Sequence, residues 1–309
     1  MITVDGQRKV EPGVLSLPRD RRLPLSSTPR VMGVLNVTPD SFSDGGRWLN
    51  PERAVEHGLE LFARGAHLLD VGAESTRPGG GVYGEGAPEV SADEECDRLL
   101  PVIEGLRQAT DAPLSIDTRK ATVARQALAA GGDVVNDVSS LEDPQMAEVA
   151  ATAGAPLVVM HSRGPLATMQ QGIHFDDLIP EVRAELEATT RRARAAGMRR
   201  SQILIDPGIG FGKRAEHNLE LLARLGEIAE IGHPVVVGAS RKSFIGDVTG
   251  AAVEDRLPGS LAAAGAVAAI PAGTTAGTII RVHDVAETVQ FLEIWQAVAA
   301  ARTAKGQAA

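Results

Sequence analysis

Short runs of consecutive apolar residues recur along the chain, and each is followed by apolar positions at helical spacing. The runs are continuous rather than alternating, which is typical of parallel strands buried on both faces. The eight strands predicted in this way are residues 31–37, 67–71, 113–116, 133–135, 156–160, 202–205, 234–237 and 277–280. The helices predicted between and after them are residues 51–64, 93–109, 120–130, 143–153, 176–196, 219–225, 258–270 and 285–292.

Eight strand–helix units without a linker between them predict one α/β domain, a closed (β/α)8 TIM barrel, over residues 31–300. The alternative is an open doubly wound sheet, but no GxGxxG phosphate turn follows the first strand. The glycines at Gly208, Gly210 and Gly212 lack that spacing. Residues 1–30 are predicted to be an irregular extension, with a small hairpin between residues 2–4 and 8–10. Residues 301–309 are predicted to be a disordered tail.

Composition limits the class of protein. The chain has 309 residues, 43% of them hydrophobic, which is enough for a large core. The net charge is −9, so any anionic ligand must be met by a few placed cations rather than by a basic surface. The single cysteine, Cys96, excludes an internal disulfide and a multi-cysteine metal site. Residues 1–30 contain no signal-peptide pattern and residues 261–270 are too short to span a membrane, so a cytoplasmic protein is expected.

Polar residues end the predicted strands at one structural point, the carboxyl end that forms the active-site face of such barrels. Singly, each is explained as a cap or a solvated loop residue; together they predict a site. They are Asn36, Thr76, Arg77, Asp117, Asn136, His161, Asp206, Lys242, Arg281 and His283.

These residues divide into two groups by chemistry. The acceptors Asp117, Asn136 and Asp206 suit a heterocycle whose amino-amidine edge presents adjacent N–H donors. Lys242 can donate to a carbonyl or ring nitrogen of the same ligand. The second group suits a phosphate or diphosphate, and it consists of Asn36, Arg77, Arg281 and His283. The sequence has no HExxH or CxxC motif, so Mg2+ is expected only as an ion carried by a diphosphate.

Eight motifs, in order, resemble those of the dihydropteroate synthase family. They are NVTPDSFSDGG, GAESTRPGG, SIDT, VVNDVSS, VVMHSRG, LIDPGIGFGK, GASRKSFIG and RVHDV, and the similarity covers residues 31–292. The resemblance implies a (β/α)8 barrel, usually dimeric, in folate biosynthesis. The family joins 6-hydroxymethyl-7,8-dihydropterin diphosphate to p-aminobenzoate, releases diphosphate and is the target of sulfonamides.

The resemblance also implies roles for individual residues. Those implied to hold the pterin are Asp117, Asn136, Met160, Asp206 and Lys242. Those implied to hold the diphosphate are Asn36, Arg77, Arg281 and His283, with Asn36 also a ligand of Mg2+. Those implied to form the p-aminobenzoate pocket are Phe42, Thr76, Pro78, Phe211 and Ser243, and Thr38 and Asp44 are implied to act in loop closure. Asp117, Asp206, Lys242, Arg281 and His283 are the implied catalytic group, acting in a dissociative, SN1-like step.

Several alternatives stay open. A pterin-binding barrel that transfers a methyl group from a folate to a corrinoid would share the pterin residues, and a non-catalytic homologue would only bind pterin. The second loop (PGGGVYGEGAPEVS) is long, and Arg163 could add a cation near the mouth or face solvent. The alanine-rich helix at residues 258–270 could form a subunit interface or pack within the monomer.

Overall fold

The computed structural model describes residues 13–26, 28–38, 50–75, 90–165, 168–271 and 273–306. Residues 303–306 are described by their backbone alone. Ten strands are present in the described residues. Their bounds are β1 (Val14–Ser16), β2 (Arg22–Pro24), β3 (Arg30–Asn36), β4 (Leu68–Gly72), β5 (Leu114–Asp117), β6 (Val134–Asp137), β7 (Leu157–Met160), β8 (Ile203–Asp206), β9 (Val235–Val237) and β10 (Thr278–Val282). Strands β3 to β10 form a closed barrel in which all neighbours are parallel and β10 pairs with both β9 and β3. The predicted (β/α)8 barrel is confirmed and the open sheet is excluded.

Helices connect the strands of the barrel. They are α1 (Pro51–Ala63), α2 (Ala92–Ala109), α3 (Ala121–Ala130), α4 (Met146–Ala153), α5 (Leu178–Ala195), α6 (Ala215–Ala223), α7 (Leu225–Ala229), α8 (Ser243–Thr249), α9 (Leu257–Ala268) and α10 (Val285–Gly306). Single 3-10 turns occur at Arg200–Gln202 and Val253–Asp255. Among the helices described here, none has the length and apolar character needed to cross a membrane. Helix α10 continues to Gly306, beyond the barrel boundary that the sequence suggested.

Local signals fix the ends of several helices. Asn50 caps α1 by accepting from the Arg53 N–H at 3.0 Å, and Pro51 takes the first helical position. Ser91 caps α2 by accepting from the Glu94 N–H at 3.2 Å. These contacts satisfy N–H groups that the first turn of a helix leaves without a partner, so each helix begins at a defined residue.

The first two strands close the amino-terminal end of the barrel. Strands β1 and β2 pair antiparallel, and buried leucines in each strand and directly after it pack against side chains inside the barrel. These leucines are Leu15, Leu17, Leu23 and Leu25, and the residues in their cluster are Met32, Leu68, Val134, Val158, Leu204, Val236 and Ile279. The expectation of an irregular extension is therefore wrong for this segment, while the hairpin predicted at residues 2–4 and 8–10 lies outside the described residues.

A buried carboxylate fixes this hairpin to the barrel. Asp133 is fully buried; its Oδ1 accepts from Arg21 Nε at 3.0 Å and its Oδ2 from Arg107 Nη2 at 2.7 Å. Arg19 Nη2 lies 3.3 Å from Oδ1, and the Leu114 N–H donates to Oδ2 at 3.0 Å. Removing one partner of a buried ion pair is costly, because the other charge is left buried without a partner. This cluster therefore holds the hairpin against the start of β5 and β6. The opposite end of the barrel is left for the site.

Candidate active site

One guanidinium joins two carboxylates at the carboxyl end of the barrel, and an amide donates to one of them. Arg281 of β10 donates from Nε to Asp70 Oδ2 at 2.5 Å and from Nη2 to Asp117 Oδ2 at 2.8 Å. Asn136 of β6 donates from Nδ2 to the same Asp70 oxygen at 3.0 Å. The two groups that the sequence separated, pterin acceptors and phosphate cations, therefore share Arg281.

Asp70 is the site residue that the sequence analysis missed. It lies inside the apolar run LLDVG of β4 and is fully buried. Its other oxygen, Oδ1, has no hydrogen-bond donor among the described residues, and the same holds for Asp117 Oδ1. A buried acceptor without a donor is costly, so these two oxygens indicate a place where a ligand donates N–H groups. A lone acid within a buried strand was the signal that could have identified Asp70.

The pKa values of Asp117 and Arg281 are both raised, but by different causes. Burial and the neighbouring charge of Asp70 raise the pKa of Asp117, against the opposing effect of Arg281. Burial disfavours the Arg281 cation, but the carboxylates of Asp70 and Asp117 outweigh it and raise the pKa of Arg281. The Arg281 guanidinium therefore stays charged and is shared by the two carboxylates. Because one cation serves two carboxylates, the site favours a ligand that brings further N–H donors.

Asp206 and Lys242 lie at the same end of the barrel. Asp206 ends β8, and its Oδ1 accepts from the Gly208 N–H at 2.7 Å. Lys242 precedes α8; its ammonium donates to the Ile209 carbonyl and lies 4.5 Å from the centroid of the Phe211 ring. Gly208 has a φ of +68°, and a Cβ there would stand 2.0 Å from the His161 carbonyl oxygen. Only glycine fits at this position, and its freedom at positive φ allows the chain to turn sharply after β8.

The pKa shifts of this pair follow from burial and from each other. Burial raises the pKa of Asp206, although Lys242 and the Gly208 N–H favour the carboxylate. Burial, helped by Arg281, lowers the pKa of Lys242 to about 8, against the attraction of Asp206 and Asp117. Because Asp206, Asp117 and Arg281 all act on the Lys242 ammonium, the four groups form one electrostatic unit.

An apolar cluster borders the charged groups. Met160 at the end of β7 and Phe211 pack together with Val138 and Met169, and all four are buried. Such a surface beside hydrogen-bonding groups suits a flat aromatic ligand, because the ring contacts the apolar side chains while its polar edge meets the charged ones.

His283 stands at the rim beside Ser240. Its Nδ1 lies 3.0 Å from Ser240 Oγ, which also accepts from the His283 N–H at 3.3 Å. Desolvation of the ring and the positive charges of Arg281 and Arg241 lower the pKa of His283 to about 4. A neutral imidazole that accepts at Nδ1 from the Ser240 hydroxyl keeps an N–H at Nε2 for a ligand oxygen.

The remaining predicted residues fall at different places. Asn36 ends β3 and is exposed, Thr38 follows it half-buried, and Ser243 is the first residue of α8. The positions that lie outside the described residues are Phe42, Asp44, Thr76, Arg77 and Pro78.

His161 and Arg163 contact helix α5 and the loop before it. His161 is buried, with Nε2 at 3.1 Å from Glu185 Oε2 and Nδ1 at 2.8 Å from Lys213 Nζ. Arg163 Nη2 lies 2.6 Å from Glu181 Oε2, and its guanidinium carbon lies 4.1 Å from the centroid of the Phe175 ring. Arg163 is thus a half-buried cation whose guanidinium pairs with the carboxylates of α5.

The donor set for a divalent ion is sparse. Within the described part of the chain, no group of three His, Cys, Asp or Glu side chains could hold a metal. The exposed amide oxygen of Asn36 is a hard ligand of the type that Mg2+ accepts, and Mg2+ usually keeps several other ligands from water and phosphate. The residues present therefore fit an ion that arrives on a diphosphate.

Comparison with known proteins identifies this arrangement. A family model described as pterin binding enzyme matches residues 32–283, from β3 to His283. The chain belongs to the pterin-binding enzyme family. The match begins in the first barrel strand and ends just after the last.

Relatives within the pterin-binding enzyme family share one name. Dihydropteroate synthase of Haemophilus influenzae is 41% identical over 88% of this chain and 95% of its own length. The structure of Xanthomonas albilineans dihydropteroate synthase with 4-aminobenzoic acid is 45% identical, with a TM-score of 0.82 over 92% of this chain and 98% of that one. The Yersinia pestis dihydropteroate synthase with a sulfonamide drug is 41% identical, also with a TM-score of 0.82, over 93% and 100%.

Proposed function

We propose that the chain is a dihydropteroate synthase, a transferase of folate biosynthesis. It condenses 6-hydroxymethyl-7,8-dihydropterin diphosphate with p-aminobenzoate to give 7,8-dihydropteroate and diphosphate. The observation that carries this proposal is the network of Asp70, Asp117, Asn136 and Arg281, in which two buried carboxylate oxygens have no donor among the described residues. An amino-amidine edge of a pterin presents the adjacent N–H groups that such oxygens need.

The pterin is held by charged and apolar groups together. Asp117 and Asp206 accept from its N–H groups, Asn136 completes the polar edge, and Lys242 donates to a ring carbonyl or nitrogen. Met160 packs against the ring, which is supported by its place in the apolar cluster with Phe211. Hydrogen bonds from ligand N–H groups to buried carboxylates are stronger than neutral ones, so this edge provides much of the specificity for the pterin.

The diphosphate is held at the rim. Arg281 keeps further N–H donors beyond those used for Asp70 and Asp117, and His283 keeps its Nε2–H. Asn36 offers its amide oxygen to Mg2+, and Arg77 adds a cation. When bound, Mg2+ neutralises charge on the diphosphate. The rim residues hold the leaving group by its oxygens while the carboxylates below hold the pterin.

The chemical step breaks the C–O bond between the exocyclic methylene and the diphosphate. The electron pair leaves with the diphosphate, and Arg281 and His283 stabilise the charge that develops there. The pterin delocalises the resulting cation, and the negative charges of Asp117 and Asp206 lower its free energy. The neutral amine of p-aminobenzoate then forms the N–C bond and loses its extra proton to the departing diphosphate, so the step needs no strong general base. Loop closure, with Thr38 and Asp44, excludes water.

The p-aminobenzoate pocket lies beside the pterin. Of its proposed members, Phe211 and Ser243 are among the described residues. Ser243 opens α8, where its hydroxyl and the backbone N–H groups of the first turn can receive the carboxylate. The other members of the pocket are Phe42, Thr76 and Pro78.

The proposal also includes that two copies of the chain form a homodimer and that the protein is cytoplasmic. The small residues Ala263, Ala264 and Gly265 of α9 are buried within the chain, where Gly265 lies against Phe291 and Trp295 of α10. The exposed apolar residues of α10, Ile294 and Val298 with the partly exposed Trp295, are the better support for a subunit interface. Light scattering at micromolar concentration tests it: a dimer is expected, and a monomer contradicts this part.

Diphosphate release is the experiment that tests the function. Release is expected only when the pterin diphosphate and p-aminobenzoate are both present, with one 7,8-dihydropteroate formed per diphosphate. Arg281→Met should abolish release, whereas Arg191→Met, a control at an exposed arginine that pairs with Glu187 on α5, should not. Methyl transfer to a corrinoid without diphosphate release, or pterin binding without turnover, would refute the synthase.

A further inference from the structure

Lys213 is a buried lysine that the proposed mechanism does not use. It closes the glycine loop (residues 207–213), which runs from Asp206 at the end of β8 towards α6. Only 3% of Lys213 is exposed. Its ammonium donates to the Phe211 carbonyl at 3.0 Å and stands 2.8 Å from His161 Nδ1. A lysine is rarely buried to this extent unless its contacts compensate for lost hydration, so these two contacts account for its position.

A chain of polar contacts connects Lys213 to helix α5. His161 lies between them, with Nδ1 facing Lys213 and Nε2 facing Glu185 Oε2 at 3.1 Å. Burial and the charge of Lys213 lower the pKa of His161 to about 4, so the ring is neutral at pH 7, accepts at Nδ1 from Lys213 and carries its N–H on Nε2. Glu185 is in turn held by Arg163 Nε at 3.0 Å. Contacts through His161, Glu185 and Arg163 thus hold the Lys213 ammonium in place on the side facing α5.

The glycine loop needs such support. Gly208, Gly210 and Gly212 all have positive φ values, which glycine adopts readily because it has no Cβ. The same lack of a side chain leaves the loop with few contacts of its own. The Gly210 N–H donates to Asn218 Oδ1 at 2.7 Å, but the contact at the carbonyl of Phe211 comes from Lys213. The Phe211 ring contacts the Lys242 ammonium and packs with Met160, while the Ile209 carbonyl of the same loop also accepts from that ammonium.

We infer that Lys213 is a positioning residue: through the Phe211 carbonyl it sets where the Phe211 ring stands, and so controls binding of the arylamine rather than of the pterin. This rests on the proposed function, in which Phe211 belongs to the p-aminobenzoate pocket. Asp206, Lys242, Arg163, Glu185 and His161 are the charged and titratable groups that act on Lys213. Burial lowers the pKa of Lys213 to about 7, but both the amine and the ammonium carry N–H donors, so positioning persists across this range.

Lys213→Met tests the inference because it removes the donors and keeps most of the volume. The KM for p-aminobenzoate should rise about tenfold, the effect of losing about 1.4 kcal/mol, with the KM for the pterin diphosphate within about twofold of wild type. The control is Gln202→Met, at a buried amide that donates to the Gly154 carbonyl at 2.8 Å at the far end of β8. This control should lower Tm without changing either KM.

An equal rise in both KM values, or a change confined to kcat, would show that Lys213 only supports the fold and would overturn the inference. If Lys213→Met does not fold, His161→Ala decides, because it removes the support behind the ammonium. A rise of about threefold or more in the KM for p-aminobenzoate alone supports the inference, and unchanged values overturn it. Absence of diphosphate release by the wild-type chain would instead refute the proposed function, so the two failures are distinguishable.

Discussion

Removing the Asp206 carboxylate should weaken pterin binding strongly while leaving the barrel folded. Asp206 is buried, and its contacts are local: the Gly208 N–H at 2.7 Å and the electrostatic attraction of Lys242. Asp206→Asn keeps the volume and an acceptor for Gly208 but loses the charge. Asp206→Ala loses the charge and both oxygens. The pair of variants therefore separates the contribution of charge from that of the acceptor.

The magnitude follows from the type of bond. A hydrogen bond to a charged group contributes about 1.5–3 kcal/mol, so the asparagine variant should bind a pterin analogue roughly 10- to 150-fold more weakly. The alanine variant should bind more weakly still, because the ligand N–H then has no acceptor. Loss of the Asp206 charge should also lower the pKa of Lys242 further below its wild-type value of about 8.

Calorimetric titration of the pterin analogue is the assay, with Asp176→Asn as the matched control. Asp176 is an aspartate with a side chain that is 93% exposed, and its loss should not change affinity. Because burial raises the pKa of both Asp206 and Asp117, wild-type affinity should fall as the pH falls, beginning above the usual aspartate range, and Asp206→Asn should lose only the Asp206 part of this acid limb. Unchanged affinity in both folded variants would show that the pterin does not bind at Asp206.

Three further predictions concern the neighbouring groups. Ser243→Ala should weaken p-aminobenzoate and a sulfonamide by about 0.5–3 kcal/mol each and leave pterin affinity unchanged; non-competitive sulfonamide inhibition or intact affinities would mean that the pocket is misplaced. p-Aminobenzoate should bind poorly to the free enzyme and well once diphosphate and a pterin analogue are present, and equal affinity by calorimetry would contradict loop closure. Lys242 is charged below a pKa of about 8, so kcat/KM should fall as the pH rises through that value; Lys242→Arg should move this alkaline limb upward, whereas an unmoved limb would assign it to another group.

Most of the barrel could be predicted because its strands are buried on both faces. Each such strand reads as a continuous apolar run, and the polar residue that ends it marks the mouth. The predicted site residues Asp117, Asn136 and Asp206 do lie at or next to the last residue of a strand, whereas Lys242 lies beyond Val237, the end of its strand. The match between these runs and the strands shows how strongly burial in a parallel sheet constrains residue type.

The parts that could not be predicted depend on distant contacts or on unusual turns. Asp70 interrupts an apolar run, and its partner Arg281 lies 211 positions away, so the sequence does not name the pairing. The hairpin of β1 and β2 turns at Arg19 and Asp20, with φ values of +58° and +56°. Positive φ at both central residues is typical of hairpin turns, but it is usually signalled by Asn-Gly or Asp-Gly rather than by an arginine after a proline.

The pairing of β3 with β10 determines when the barrel can close during synthesis. Arg30 lies opposite Ile279, so the first and last strands of the barrel meet across almost the whole chain. Until the ribosome has released β10, the growing sheet has two open edges whose backbone groups can pair with another chain. Closure is a late, non-local event, which makes folding slow and leaves the nascent chain exposed to aggregation. Chaperones that shield strand edges should therefore matter most for this protein in the interval before its last strand emerges.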